Sequence, residues 1–309
     1  MTLVKTNLDS PSVNISVFEY IGRQAGQLEQ LGKIRTGEIY RQTLNSFRKY
    51  RRQVDISFDR LDAHVIEQYE SYMKSNGLSR NSTSFYMRVL RSLYNRAVEQ
   101  GLAAPGIDPF KRVYTGVDKT AKRAITMNEI KRIKTLNLTD RPSLDYARDI
   151  FLFSFYMRGM SFIDIAYLRK KDLANGYISY IRKKTGQHLV IKWEKPMQDI
   201  LEKYGENPTP YLLPVIVRQD RPERQQYLNR ILFVNRKLKQ VAALAGISIP
   251  LSMYVSRHSW ASIARSKNIP ISVISEGMGH DSEKTTRIYL NDIQSNTIDK
   301  ANRQILKDL

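Results

Sequence analysis

The sequence predicts a mainly α-helical protein with a small β-sheet, in which an N-terminal helical bundle precedes a mixed α/β domain. Through the first hundred residues, apolar side chains recur at intervals of three and four, the spacing of one helix face. Residues 176–193 instead read as two strands around a basic turn. The composition, 41% hydrophobic and 26% charged, is that of a globular protein.

Four helices are predicted in the first part, over residues 17–30, 37–51, 62–76 and 82–100. Gly77 and Gly101 follow the last two of these runs, and glycine is a common residue just past the end of a helix. Four helices of about 14 residues form a small bundle.

A boundary is predicted after Pro105-Gly106, where turn residues precede a charged stretch without apolar periodicity. We predict a first domain at residues 1–105, a linker at 106–122 and a second domain at 123–309. The alternative is an ordinary surface loop within one domain.

The second part opens with a capping box, in which Thr126 and Glu129 satisfy each other's backbone N–H groups at a helix start. Further helices are predicted near residues 144–156, directly after Ser161, and from Leu228 onward. The hairpin at residues 176–193 lies between them.

The charge favours a polyanionic partner. The chain holds 50 Lys and Arg against 30 Asp and Glu, a net charge of +20. Residues 1–110 hold 15 Lys and Arg and 11 Asp and Glu, whereas residues 111–309 hold 35 Lys and Arg and 19 Asp and Glu. Such a surface suits nucleic acid or an anionic membrane. The sequence has no apolar run long enough to span a bilayer and no signal peptide, so we expect no membrane partner.

Several kinds of chemistry are excluded by composition. Without cysteine, the chain has no disulfide, no thiolate nucleophile and no thiolate metal site. This is compatible with a reducing cytoplasm and equally with secretion. The four histidines do not fall at metal-ligand spacing, and no glycine-rich phosphate loop is present. We therefore expect neither a metal nor a cofactor.

Residues 251–290 hold the densest group of reactive side chains: Arg257-His258, then Gly279-His280, then Tyr289 nine residues after His280. Each element alone is common in structural roles. Their ordered combination resembles the C-terminal signature of the tyrosine recombinases, the phage integrase family. By that resemblance, Arg257 is the second catalytic arginine, His280 the late histidine and Tyr289 the nucleophile.

The resemblance extends over the chain. It implies a SAM-like core-binding domain at residues 1–105 and a catalytic domain of the DNA breaking-rejoining type at 123–309. The hairpin sequence Lys183-Lys184-Thr185-Gly186 resembles the segment that carries the family's lysine, and Lys184 is the better-aligned residue. The alternative is a basic hairpin that only contacts phosphates.

Two positions depart from the family pattern. Ser161 stands where the first arginine is expected, and Arg158 lies three residues earlier, about one helical turn away. Tyr254 stands where a histidine is expected three residues before Arg257. A phenol donates to phosphoryl oxygens as an imidazole does, although it is a poorer proton shuttle near neutrality. These departures resemble a variant branch seen among mobile-element recombinases.

The resemblance implies a reaction that requires neither metal nor ATP. Arg257 and Arg158 would bind the nonbridging oxygens of a phosphodiester, with His280 and Tyr254 as further donors. Attack by the tyrosine would form a 3′-phosphotyrosyl link and leave a free 5′-hydroxyl. Lys184 would be the general acid for the departing oxygen.

The implied partners are double-stranded DNA, three further copies of the chain in a synaptic tetramer, and accessory DNA-bending proteins. The implied location is the cytoplasm, on the nucleoid. Integration, excision and inversion all remain open. Only about 15 residues precede the first predicted helix, so we expect no separate arm-binding domain.

Two basic or amphipathic segments leave alternatives open. Arg80, Arg88, Arg91 and Arg96 lie along one predicted helix, and they either contact DNA or form a solvated face. The tail at residues 291–309 is amphipathic, and it packs either on a neighbouring protomer or on its own domain.

Two other functions fit the same residues. Because of Ser161 and Tyr254, the chain could be a catalytically impaired accessory or regulatory protein that only binds DNA. A type IB topoisomerase-like enzyme would share the chemistry but act without pairing two sites.

Overall fold

The computed structural model describes residues 16–118, 120 and 123–290, with side chains as far as residue 287. Helices dominate this part of the chain, and its one sheet has three strands. The helices are α1 Val17–Gln30, α2 Ile34–Tyr50, α3 Ala63–Ser75, α4 Arg80–Glu99, α5 Met127–Thr135, α6 Pro142–Tyr156, α7 Phe162–Ala166, α8 Lys195–Tyr204, α9 Glu223–Leu244, α10 Met253–Ser266, α11 Ile271–Met278 and α12 Glu283–Leu290. The strands are β1 Leu173–Ala174, β2 Tyr177–Ile181 and β3 His188–Lys192.

The chain divides into two units, Met1–Thr120 and Ala121–Leu309. In the first unit, α1 to α4 enclose a core rich in aromatic rings, in which Phe47 contacts Phe18 and Tyr69 edge to face. Three of its helices begin at a side chain that accepts a backbone N–H: Ser16, Asp62 and Ser79. These caps satisfy N–H groups that have no partner within the helix.

Helix α2 was predicted to begin at Gly37, but it begins three residues earlier, at Ile34. Gly37 lies inside α2, where a Cβ would come within 2.7 Å of Cγ of Glu29 and 2.9 Å of the Ala25 carbonyl oxygen. Glycine at this position therefore reflects the close approach of α1 and α2. It does not mark a helix end.

Part of the predicted linker packs on the first unit. Phe110 and Val113 are buried in its core, and Arg91 donates to Asp108 at 2.8 Å. Residues 119, 121 and 122 lie outside the described part, and the predicted domain limits stay a prediction.

The second unit is built around α6, whose Ile150, Phe151 and Phe153 are fully buried. Helices α9 and α10 pack against it. The capping box at the start of α5 is confirmed, because Thr126 and Glu129 make both reciprocal bonds.

The predicted hairpin is confirmed as β2 and β3, which are antiparallel, with Tyr177 opposite Lys192 and Ile181 opposite His188. Ile178 and Tyr180 face the core while their neighbours are exposed, the alternation expected of a half-buried strand. The two-residue β1 completes the sheet, and its brevity hid it from the sequence pattern.

Within the described residues, no helix is both long and apolar enough to cross a lipid bilayer. The predicted amphipathic tail at residues 291–309 lies outside the described part.

Candidate active site

Arg257 is the centre of the candidate site. It lies on α10 and is 4% exposed. Its Nη1 donates to the Gly159 carbonyl at 2.8 Å, and its Nη2 donates to the Met278 carbonyl at 2.7 Å. These bonds join three segments: α10, the turn after α6, and the end of α11. Since a buried charge is costly without hydrogen bonds, they also make its burial tolerable.

The turn after α6 approaches α10 closely. Gly159 has a φ of +73°, and a Cβ there would lie 2.8 Å from Cα of Arg257. The turn is closed by the Ser154 hydroxyl, which donates to the Met160 carbonyl at 2.8 Å. Only a residue without a side chain fits between this turn and α10.

Arg158 precedes Gly159 in the same turn, also at positive φ (55°). Because residues 157–161 are not helical, the helical spacing we predicted between Arg158 and Ser161 is wrong. A Cβ added at Gly277 on α11 would lie 3.7 Å from Cδ of Arg158. Arg158 therefore lies beside α11, as Arg257 does.

Ser161 is bonded to a buried carboxylate. Its hydroxyl donates to Asp164 at 2.6 Å, and the other Asp164 oxygen accepts the backbone N–H of Lys183 at 2.9 Å. Ser161 thus orients an acid that holds the β2–β3 turn.

The buried phenol of Tyr180 interacts with one carboxylate and three guanidinium groups. Burial and the carboxylate of Asp164 raise its pKa, while Arg257, Arg182 and Arg158 act in the opposite direction. Three guanidinium groups are therefore close enough to act on one buried phenol, which locates the positive potential of the site.

The two lysines of the hairpin turn have different surroundings. Nζ of Lys183 lies 4.3 Å from the centre of the Tyr167 ring, a cation–π contact. Both lysines are exposed, but the charge of Lys184 is one of those that lower the pKa of His280. This difference favours Lys184 over Lys183 as the site lysine.

The hairpin turn is fastened to the segment after α11. Arg182 donates through Nη1 to the Gly279 carbonyl, and the Thr185 hydroxyl donates to the same oxygen at 3.4 Å. Nε2 of Gln187 donates to the His280 carbonyl at 3.1 Å. The carbonyls of Met278, Gly279 and His280 are thus held in succession by side chains of α10 and the hairpin.

His280 follows directly. It is 9% exposed, and its Nδ1 lies 2.7 Å from the hydroxyl of the buried Thr286 on α12. Burial, together with the charges of Arg257, Arg182 and Lys184, lowers its pKa to about 4. The imidazole is therefore neutral at physiological pH.

Tyr254 and Tyr289 lie on two helices of the second unit. Tyr254 lies in the first turn of α10, 58% exposed, with its ring edge-on to His258 at 4.4 Å between centroids. The backbone of Tyr289 lies in α12, one turn after Thr286, and its side chain is outside the described part.

The sequence-predicted residues Arg257, Arg158, His280 and Lys184 are brought together around the end of α11. Sequence reasoning missed Arg182, Gln187 and Thr286. One signal was available for Arg182, because the alternation of Ile178 and Tyr180, continued one residue past the end of β2, places residue 182 on the buried face. Among the described residues, no three His, Asp or Glu side chains are placed to hold a metal ion.

Comparisons with known proteins identify the family of the chain. A model described as the phage integrase family matches residues 123–295, more than half of the chain. The chain belongs to the phage integrase family of tyrosine recombinases. A second model, described as the phage integrase SAM-like domain, matches residues 16–113 of this chain.

This phage integrase family member is similar to the tyrosine recombinase XerD of Listeria monocytogenes, with 23% identity over 82% of this chain and 86% of XerD. A lambda integrase tetramer bound to a Holliday junction is similar in fold, with a TM-score of 0.68 and 15% identity over 90% of this chain and 78% of that one. The Tn1549 transposon integrase in complex with a circular intermediate DNA is also similar in fold. Its TM-score is 0.62 and its identity 13%, over 96% of this chain and 100% of that one. The predicted fold class is confirmed.

Replacing Gly159 by alanine tests the close approach to Arg257. Gly159→Ala should lower the free energy of unfolding by about 1–3 kcal/mol more than Gly176→Ala, since overpacking adds to backbone strain. Gly176 has a similar φ (+75°) but open space at its Cβ position, which makes it the matched control. Both tryptophans, Trp193 and Trp260, lie in the second unit, so urea unfolding followed by tryptophan fluorescence reports on this unit. Equal losses in the two variants would contradict the crowding.

The lowered pKa of His280 predicts a pH dependence of stability. Between pH 6.5 and about 4, the unfolded chain binds a proton at His280 that the folded chain does not, so stability falls as the pH falls through this window. Above pH 6.5 His280 is neutral in both states, so it adds no further pH dependence to the stability. His280→Asn should reduce this slope in urea unfolding, whereas His188→Asn, at an exposed position on β3, should follow the wild type. A wild-type slope in His280→Asn would contradict the assignment.

Proposed function

We propose that this chain is a site-specific DNA recombinase that cleaves and rejoins DNA through a 3′-phosphotyrosyl intermediate. One observation carries the proposal: Arg257 and the Lys184 hairpin both bind the segment of the chain that holds His280. These bonds support a site in which a cation, a neutral imidazole and an exposed lysine act together.

Positive charge at this place suits a phosphodiester. The pentacovalent transition state gains negative charge on its nonbridging oxygens, and fixed guanidinium groups stabilise that charge without reorganisation. Arg257 fills this role in the proposed reaction. Arg158 lies beside the same helix end and supplies the second guanidinium, in place of the arginine that Ser161 replaces.

The neutral His280 acts as a hydrogen-bond donor. For Nε2–H to donate to a nonbridging oxygen, Nδ1 must accept from the Thr286 hydroxyl at 2.7 Å. The Thr286 hydroxyl is able to donate this bond, and it lies one turn before the nucleophile on the same helix. Tyr254, exposed at the start of α10, supplies a further donor to the phosphate.

The covalent step is balanced by two proton transfers. The Tyr289 oxygen bonds to phosphorus as its phenolic proton leaves to solvent, and the bond from phosphorus to the 5′-oxygen breaks. Lys184 gives a proton to that oxygen, which becomes the free 5′-hydroxyl. Attack by a 5′-hydroxyl on the phosphotyrosine reverses these steps, so the strand is rejoined with no energy supplied by ATP.

The basic groove along α4 supports DNA binding by the first unit. It encloses about 540 Å³, and its lining includes Arg88, Arg91 and Arg96. Arg91 is paired with Asp108, and Arg96 donates to Gln24 at 3.1 Å. Arg80 lies 3.5 Å from Asp118 and stacks on the Tyr114 ring. We therefore assign Arg88, which is exposed, as the phosphate contact of this helix.

The assembly and biological role follow as proposals. We propose a homotetramer on two paired double-stranded DNA sites, in the cytoplasm on the nucleoid, with accessory DNA-bending proteins as further partners. The Ser161 and Tyr254 substitutions support placement in a mobile-element branch of the family. The reaction would be integration, excision or inversion.

A second candidate function is a DNA-binding accessory protein without catalysis. The observation in its favour is Ser161, whose hydroxyl is bonded to Asp164 and leaves the first arginine position without a cation. It predicts sequence-specific binding without strand cleavage, so the same experiment separates the two functions.

A nicked suicide substrate should trap the wild-type chain as a covalent protein–DNA adduct, seen as a shifted band on a denaturing gel. Tyr289→Phe should form none, because it lacks the attacking oxygen. Tyr177→Phe, which removes an exposed phenol on β2, is the control and should react as the wild type does. Adduct formation by Tyr289→Phe would overturn the assignment, and binding without an adduct in the wild type would favour the accessory function.

Arg88→Ala should weaken binding to duplex DNA at all sequences and reduce the slope of log affinity against log salt by about 1, as expected for one lost phosphate contact. Fluorescence anisotropy over a salt series measures both quantities. Arg35→Ala, an equal charge change on α2, should leave the slope unchanged. Equal slopes for the wild type and Arg88→Ala would mean that Arg88 belongs to a solvated face.

A further inference from the structure

The attachment of the hairpin turn to the end of α11 centres on Arg182, whose side chain is 6% exposed. Its backbone closes the turn, because its N–H donates to the Gln187 carbonyl and its carbonyl accepts from Gly186, both at 2.8 Å. Its guanidinium then reaches across to the Gly279 carbonyl. One residue thus shapes the turn that carries Lys184 and fixes that turn to the residue preceding His280.

The surrounding contacts leave little freedom. Gly279 is left-handed (φ +63°), and a Cβ there would lie 2.9 Å from Cδ1 of Leu189 and 3.2 Å from Cδ of Arg182. Gln187 holds the next carbonyl along the chain. The hairpin and the end of α11 are therefore in direct contact, with glycine required where they meet.

The charge of Arg182 is also favourably placed. The carbonyls at a helix C-terminus carry partial negative charge, and a guanidinium buried against them is stabilised. The Gly279 oxygen follows the last turn of α11, so Arg182 binds where the helix offers an acceptor.

We infer that Arg182 is a positioning residue that holds Lys184 at a fixed separation from His280, so that proton donation to the departing 5′-oxygen depends on it. The inference rests on the proposed function, in which Lys184 is the general acid. Arg182 itself does not touch the reacting atoms. Its loss should therefore impair the proton transfer and leave the attack on phosphorus intact.

A change of leaving group separates these two effects. A bridging sulfur in place of the 5′-oxygen leaves as a thiolate, whose conjugate acid has a pKa near 8.5, so it requires no proton donor. Cleavage rates would be measured with the full chain on suicide substrates that carry either oxygen or sulfur at the scissile position. The variants are Arg182→Gln, Arg182→Lys and Lys184→Ala, with Arg236→Gln, an exposed arginine on α9, as the matched charge control.

On the oxygen substrate, Lys184→Ala should be slower than the wild type by about 100-fold or more, the usual contribution of a general acid. Arg182→Gln should be slowed about 10-fold or more, and Arg182→Lys, which keeps one donor, should be slowed less. On the sulfur substrate, both Arg182→Gln and Lys184→Ala should approach the wild-type rate. Arg236→Gln should match the wild type on both.

Equal slowing of Arg182→Gln on the two substrates would overturn the inference, as would an unchanged rate on oxygen or a Lys184→Ala defect that sulfur does not rescue. If Arg182→Gln fails to fold, Gln187→Ala gives the same test, because it removes only the bond to the His280 carbonyl and should show a smaller, sulfur-rescued defect. A wild-type chain that forms no adduct with either substrate would instead overturn the proposed function.

Discussion

The buried guanidinium of Arg257 is the interaction on which the rest of the site depends. Two carbonyls from distant parts of the chain, those of Gly159 and Met278, accept its hydrogen bonds. A cation in the protein interior is stable only when such acceptors replace its water. The turn after α6, the end of α11 and the start of α10 therefore have to assemble together. Arg158, His280 and Arg257 are attached to these same segments.

Electrostatic coupling follows from this assembly. Burial lowers the pKa of the His280 imidazole most, and the charges of Arg257, Arg182 and Lys184 lower it further, so the ring stays neutral. Asp164 opposes this charge at Tyr180, since its carboxylate raises the pKa of that phenol while the three arginines lower it. The site thus combines strong positive potential with a histidine that remains an uncharged hydrogen-bonding group.

Much of this arrangement could be predicted from sequence, because the local signals were strong. The capping box at Thr126 and the hairpin appeared as expected. Helix α8 was missed, and α9 begins five residues before its predicted start, since its first turns are polar and lack the apolar spacing that marks a helix. The site motifs gave residue identities, but long-range bonds such as Arg182 to Gly279 leave no pattern in a single sequence. They depend on which segments the fold brings together.

The three successive carbonyls at residues 278–280 accept hydrogen bonds from three side chains. Arg257 of α10 binds the first, and Arg182 and Gln187, at the two ends of the hairpin turn, bind the second and third. The acceptors are main-chain carbonyls, which any sequence supplies, whereas the donors are three particular side chains. A chimaera should therefore keep this attachment only when the helix and the turn that it receives carry these donors.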